Sequence, residues 1–272
     1  MPRHVLALLA APAAGWFALF FAVPVAAVAV DAFADGGAAF GRILAAPSFW
    51  PSVAGSAALT AVATTVSTLV GTAVALHLSR LPERRRTLAA FVIALPLTFS
   101  GLIVAYGFIL AYGRAGFFTQ LLAFAGLDAA AVGAVLFTPV GLAFASSYYL
   151  IPRVVMLLLP VLVNFDRTQL VVAESLGATP AQAFRQVLLP QVLGAVAGAA
   201  CLVAAVVFGA YGTALALVGT QLRILPLQLY SLISETGSDF PAAAALALLI
   251  AAACSGIMAT GEWISHRHER HL

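Results

Sequence analysis

The chain has 272 residues, of which 63% are hydrophobic and 8% charged, with a formal net charge of +3. Soluble domains carry about 25% charged residues, so this composition excludes an ordinary soluble enzyme, and the basic residues do not gather with aromatics on a polar surface as a nucleic-acid binder needs. All thirteen basic residues are arginine, and without lysine the chain cannot carry the Gly-Lys-Ser/Thr loop that cradles the phosphates of ATP.

Taken in order, Val5 to Val30 follows Arg3 and His4, has no charge and predicts a first spanning helix. It is longer than the roughly 7–15 apolar residues of a secretory signal. Asp31, Asp35, Gly36, Gly37 and Arg42 make a polar loop, and Pro47 and Pro51 oppose helix until Ser52, from which a second span runs to Leu78. Arg80, Arg84, Arg85 and Arg86 follow it. Thr87 to Tyr112 predicts a third span, bent at Pro96 and Gly101, and Arg114 to Asp128 a short outer segment. A fourth span is expected from Ala131 to Leu150, broken at Pro139, with Pro152 starting a separate helical piece to Val163.

Asn164 to Pro190 is the longest polar-bearing interval. Asp166 followed by Gln169 is a helix-start signature, Gly177 suits a left-handed stop, and Thr179, Pro180 and Gln182 spell the cap, first-turn proline and N3 amide of a second helix. The first of these helices has about ten residues, roughly 15 Å, too short to cross a hydrocarbon core of about 30 Å, so it lies at the membrane surface. On it, Arg167, Leu170 and Glu174 recur at helical spacing and are expected to share one face. Val187 to Tyr211 is the fifth span. Gly212 to Asp239 is too apolar for a solvated linker and too interrupted for a plain span, which suits a re-entrant or surface-lying segment. Pro241 to Trp263 is the sixth span, and His266, Arg267, His268, Arg270 and His271 form a basic tail. Cys201 and Cys254 fall inside apolar runs, as small buried thiols rather than a disulfide.

The expected fold is all-α and polytopic, with about six transmembrane helices and both termini on one side. It divides into a first helix and outer loop (1–48), a five-span core (49–265) and a tail (266–272). Arginines are concentrated at the end of the spans that carries the 164–190 loop. That asymmetry places the loop and both termini in the cytoplasm.

Within the spans the only ionisable candidate is His77, near a span end. No Gly-x-Ser-x-Gly elbow or His-Glu-x-x-His pair occurs, so neither catalysis nor a metal is expected. Hydroxyl-bearing side chains that could line a path are Thr98, Ser100, Tyr106 and Tyr112, then Ser146, Ser147 and Tyr148, then Tyr211 and Thr213. Each also has an ordinary role open to it, as a backbone-bonding Ser or Thr or an interfacial Tyr.

Ala173-Glu174-Ser175, Leu176-Gly177-Ala178 and, twelve residues past the glycine, Leu189-Pro190 resemble the cytoplasmic E-A-A-x-x-x-G loop of permease subunits of type I ATP-binding-cassette importers. The text around Leu150-Ile151-Pro152 and the late glycine-rich segment look most similar to the branch serving polyamines, ferric iron, sulfate and phosphonates. The resemblance implies a coupling helix that docks an ATPase through Arg167, Leu170, Ala173, Glu174, Ser175, Leu176, Gly177, Ala178, Leu189 and Pro190. It also implies a second permease subunit, of the same or a homologous chain, two cytoplasmic ATPase subunits that hold ATP and Mg, and an extracytoplasmic solute-binding protein. The setting it implies is the bacterial inner membrane, with lipid and no nucleic acid as surroundings and no cofactor in this chain. An ion-coupled secondary transporter, or a non-transport scaffold subunit, is the alternative; the first needs a midplane acid or matched broken helices, and the second leaves the glycine loop without a role.

Overall fold

The computed structural model describes residues 11–234 and 239–269. Val5 to Ala10, Arg3, Glu235 and Arg270 to the end therefore lie outside the described residues. Every regular element among the described residues is helical, and six stretches are long and apolar enough to cross a membrane.

The first, α1 (Ala11–Ala32), runs along the last helix and is otherwise exposed. A π turn at Ala18–Ala22 precedes Pro24 by two residues. A proline inside a helix frees the carbonyl four residues back, and the wider turn absorbs that defect. Short α2 (Ala38–Ala45) follows in the loop, then α3 (Phe49–Ser79). Helix α3 begins earlier than expected because Pro51 sits in its first turn, where the missing N–H has no partner to lose.

In α3 the buried positions Ser52, Ser56, Thr60, Ala63, Ser67, Gly71 and Ala75 recur every three or four residues, while Val62, Val66, Leu69 and Val70 face outward. Lipid tails are as apolar as valine, so no hydrophobic gain comes from turning the large residues inward; small residues there let helices approach closely. Gly71 lies so near Val154 that an added Cβ would be 2.7 Å from the valine Cβ. That contact belongs to the extensive packing of α3 on α8 (Pro139–Asn164).

The third crossing departs from the expected single span. It is split into α4 (Glu83–Ala94) with a 3-10 turn at Leu95–Thr98, and α5 (Gly101–Tyr112), with Phe99 and Ser100 extended between them. By length and composition the continuous apolar stretch is Gly101–Phe124, which adds α6 (Phe117–Phe124). Thr119 donates to the Tyr112 carbonyl at 2.9 Å and folds α6 back on α5. Short α7 (Ala129–Ala134) leads to α8.

The expected break at Pro139 is present, since Thr138 is extended between the turn Val135–Phe137 and the helix that starts at Pro139, but the separate piece from Pro152 is corrected by one 26-residue α8. Thr138 caps it, accepting from Gly141 N at 3.3 Å, and Pro139 is its first residue. Pro152 and Pro160 lie inside it without ending it.

The loop helix α9 (Thr168–Ser175) leads to α10 (Pro180–Phe208), which takes in the fifth span and starts seven residues before the expected Val187. Gly212–Val218 (α11) and Leu225–Ser234 (α12) fold back into the bundle, α11 on α5 and α8, α12 on α3 and α13 (Phe240–Glu269). Leu217, Ile224, Leu225 and Leu227 are buried, and Ser56 Oγ accepts from Leu225 N at 2.9 Å. The segment thus packs into the bundle, with its irregular backbone shielded by protein as such backbone must be at membrane depth. At the end opposite the 164–190 loop, Arg42 bonds Asp35 at 2.6 Å and Asp239 at 3.3 Å, fastening α2 to the start of α13.

Candidate functional site

The 164–190 loop is built from local bonds that its sequence dictates. Asp166 Oδ1 accepts from Thr168 N at 2.9 Å at the start of α9, and contacts with Thr168 hold its carboxyl below the usual range. The expected return bond from Gln169 is absent; its Oε1 instead accepts from Gln191 Nε2 at 2.6 Å, tying α9 to α10 just past Pro190. At the other end, Ala178 N reaches the Ala173 carbonyl at 3.1 Å and Gly177 N the Glu174 carbonyl at 3.0 Å. With Gly177 at φ +93°, this is the left-handed stop expected there. An added Cβ on Gly177 would meet nothing within 4 Å, so the glycine is needed for its backbone and not for room. The Thr179–Gln182 capping box is present in full and Pro180 opens α10. A π turn at Phe184–Leu188 sits two residues before Pro190, repeating the arrangement in α1.

Arg167 does not share an outward face with Glu174. Its guanidinium donates to the Ser79 carbonyl at 2.6 Å and lies 3.3 Å from Ser79 Oγ, closing the C-terminal end of α3. A cation there also meets the negative end of the helix dipole. Leu170 turns the same way, packing against the main core. Between this face and Leu76, Leu162, Phe165 and Leu188 only about 50 Å³ is free, room for a water or so and not a solute. The outward side carries Val171, Val172, Glu174, Ser175 and Leu176, with Leu176 85% exposed. Ala173 and Ala178 are half-buried, Leu189 is exposed and Pro190 half-buried.

Ser79 and Gln191, which anchor α9, gave no signal in the sequence. Val171 and Val172 gave one: counted back from Gly177, the positions that E-A-A-x-x-x-G reserves for its acid and first alanine are these two residues. Bare valines on a polar surface loop are an exposed apolar patch of the kind that marks an interaction site.

The hydroxyl candidates divide. Thr98 donates to the Leu95 carbonyl and Ser100 caps α5 through Ile103 N, so both serve the break in the third crossing. Tyr148, 44% exposed, joins Tyr112, Phe108 and Phe118 along a groove of about 400 Å³ between α5 and α8. Tyr106 is exposed on the same helix. Ser146 is buried, and Ser147 donates to the Ala143 carbonyl. Tyr211 lies with its ring tilted 5.5 Å from that of Tyr230 in the 212–234 segment, while Tyr149 and Thr213 meet at 3.5 Å in the interior. The structure therefore brings Tyr112 and Tyr148 onto one groove and leaves Tyr106, Ser146 and Tyr211 elsewhere.

No protein-family profile matches the chain. Over 265 residues, covering 96% of the chain and 69% of the relative, it is 30% identical to a chloroplastic sulfate permease of Chlamydomonas reinhardtii. It is 31% identical to the sulfate transport permease CysT of Salmonella typhimurium over 163 residues, 59% of this chain and 54% of that one. It is 29% identical to the spermidine/putrescine permease PotB of Escherichia coli K12 over 125 residues, 46% of this chain and 45% of that one. The matched region thus spans less than half of the polyamine permease. Among solved structures, a bacterial ABC transporter that imports the acidic polysaccharide alginate superposes with a TM-score of 0.78 at 18% identity, covering 97% of this chain and 95% of that one. The same kind of transporter in complex with an alginate-bound periplasmic protein gives 0.76, covering 97% and 94%. At these identities the structural likeness concerns the fold.

Proposed function

Because the chain belongs to the permease subunits of binding-protein-dependent ABC importers, we propose that α9 and the Gly177 bend are the surface on which a separate ATPase docks, and that Arg167 and Gln169 pass its movement to the spans. The permease itself hydrolyses no ATP. The observation that carries the reading is the two-faced character of α9: one face bonded to α3 and α10, the other presenting Val171, Val172 and Leu176 bare. A face that would cost free energy to leave in water is accounted for by a partner that covers it.

In the assembled importer two permeases pair around a pathway, two ATPases sit beneath their α9 helices, and a solute-binding protein delivers cargo at the end marked by Arg42, Asp35 and Asp239. The loop and both termini are cytoplasmic, in line with the arginine asymmetry. Tyr148, on the groove between α5 and α8, is the pathway residue of choice, with Tyr106 exposed elsewhere on α5 and Thr98 and Ser100 at the helix break before it. The sulfate and polyamine relatives support a small charged solute as the cargo. A cysteine in place of Leu176 tests the docking: in the purified complex it should cross-link to the ATPase, whereas a cysteine at Leu170 should not. Cross-linking at Leu170 and none at Leu176 would reverse the assigned faces.

A further inference from the structure

Outside the coupling loop, α4 presents a second two-part surface. Arg84, Leu88, Phe91 and Leu95 follow one another at four, three and four residues, a single stripe on a helix. Arg85 and Val92 border it. The opposite face, Ala89, Ala90 and Ile93, packs on the core, while Leu88, Phe91 and Val92 are each more than half exposed. Among the described residues no carboxylate lies within salt-bridge distance of Arg84 or Arg85, both of which are exposed. Arg80 is set apart, lining the cleft under Arg167.

From Arg84 to Leu95 the stripe measures about 16 Å at 1.5 Å per residue, close to half of the roughly 30 Å hydrocarbon thickness. Two unpaired cations therefore stand at the head of an apolar track one leaflet deep. We propose that this face holds an anionic phospholipid, its phosphate between Arg84 and Arg85 and an acyl chain along Leu88, Phe91 and Leu95. Charge complementarity selects the anionic headgroup. The track selects a lipid over a soluble protein, because an ATPase that reached the arginines would leave Phe91 and Leu95 uncovered at membrane depth. Two arginines near an anionic surface favour such a lipid over a zwitterionic one by roughly ten- to thirtyfold.

The site is tested on the permease purified with its partner subunits. Delipidated complex is mixed with phosphatidylglycerol or with phosphatidylcholine of the same chains, and retained lipid is counted by native mass spectrometry. Wild type should retain phosphatidylglycerol preferentially, and Arg84→Gln/Arg85→Gln should lose the preference. Because removing arginines can disturb insertion, a second reporter leaves them in place: Phe91→Trp in vesicles of both lipids in equal parts, with bromine on the chains of one or the other. The fluorescence added by the new indole should be quenched more by brominated phosphatidylglycerol. Equal quenching by the two lipids would overturn the proposal, as would an unchanged preference in the double variant. So would displacement of the lipid by inorganic phosphate alone, which would mark a site for free phosphate, or loss of the ATPase with lipid retained, which would mark a protein contact.

Discussion

Replacing Arg167 by alanine removes the connection between α9 and the end of α3 while leaving the outward face of α9 untouched. The guanidinium makes a 2.6 Å bond to the Ser79 carbonyl and a second approach to its hydroxyl at 3.3 Å, across 88 residues of sequence. A hydrogen bond to a charged group contributes about 1.5–3 kcal/mol; Arg167 is largely solvent-exposed, so screening brings the figure to about 1–1.5 kcal/mol. That is roughly a five- to tenfold shift in the population of α9 held against α3, too little to unfold the bundle. In proteoliposomes containing the whole importer, Arg167→Ala should assemble, insert and hydrolyse ATP, yet move about five- to tenfold less cargo per ATP, in proportion to the lost population. Arg167→Lys, which can restore one bond, should recover part of the loss. Wild-type stoichiometry in Arg167→Ala would show that α9 communicates with the spans by another route.

Gly177→Ala should cost about 1–2 kcal/mol because φ +93° strains any Cβ, and Gly177→Asn should cost less, since space is open there and Asn tolerates the left-handed region; the order of thermal midpoints checks this. Gly71→Leu should drive a side chain into Val154, an overpacking worth about 1–3 kcal/mol or more, and should show as loss of folded protein on size exclusion. Asp166 has its folded pKa lowered by Thr168, so its stabilisation of α9 is present above the ordinary carboxylate value of about 3.9 and is lost as pH falls through the lower folded value; hydrogen exchange at Leu170 and Val171 should differ between wild type and Asp166→Ala at neutral pH and converge in acid. A cysteine at Asp35 should react with an impermeant thiol reagent added from outside and one at Arg85 should not, the reverse pattern overturning the assigned orientation.

The six crossings were legible because long charge-free runs have one outcome in a bilayer, where every backbone group must be bonded internally. Proline misled at Pro51 and Pro152, though not at Pro139, where the expected break is present. At Pro139 and Pro51 it opens a helix, and at Pro152 it is carried inside one, since neighbouring helices can compensate what a lone helix could not. The third crossing departs the other way: Pro96 and Gly101 predict a bend, but Phe99 and Ser100 are extended and split the helix. In the loop, Gly177 and the Thr179–Gln182 box were readable because they are local bonds between near neighbours. Which face of α9 points outward was not, because that depends on Ser79 and Gln191, distant in sequence from the helix they hold. Periodicity puts Arg167 and Glu174 together only if both belong to the helix, and Arg167 sits at its edge.

The central claim, that the bare face of α9 couples an ATPase to the spans, is tested most directly by cargo-stimulated ATP hydrolysis in the reconstituted importer carrying Leu176→Arg or Gly177→Asp. The variants should insert and pair with the second permease as wild type does, and loaded binding protein should no longer raise ATP hydrolysis or drive uptake. Wild-type stimulation and uptake in both would contradict the coupling role of this loop.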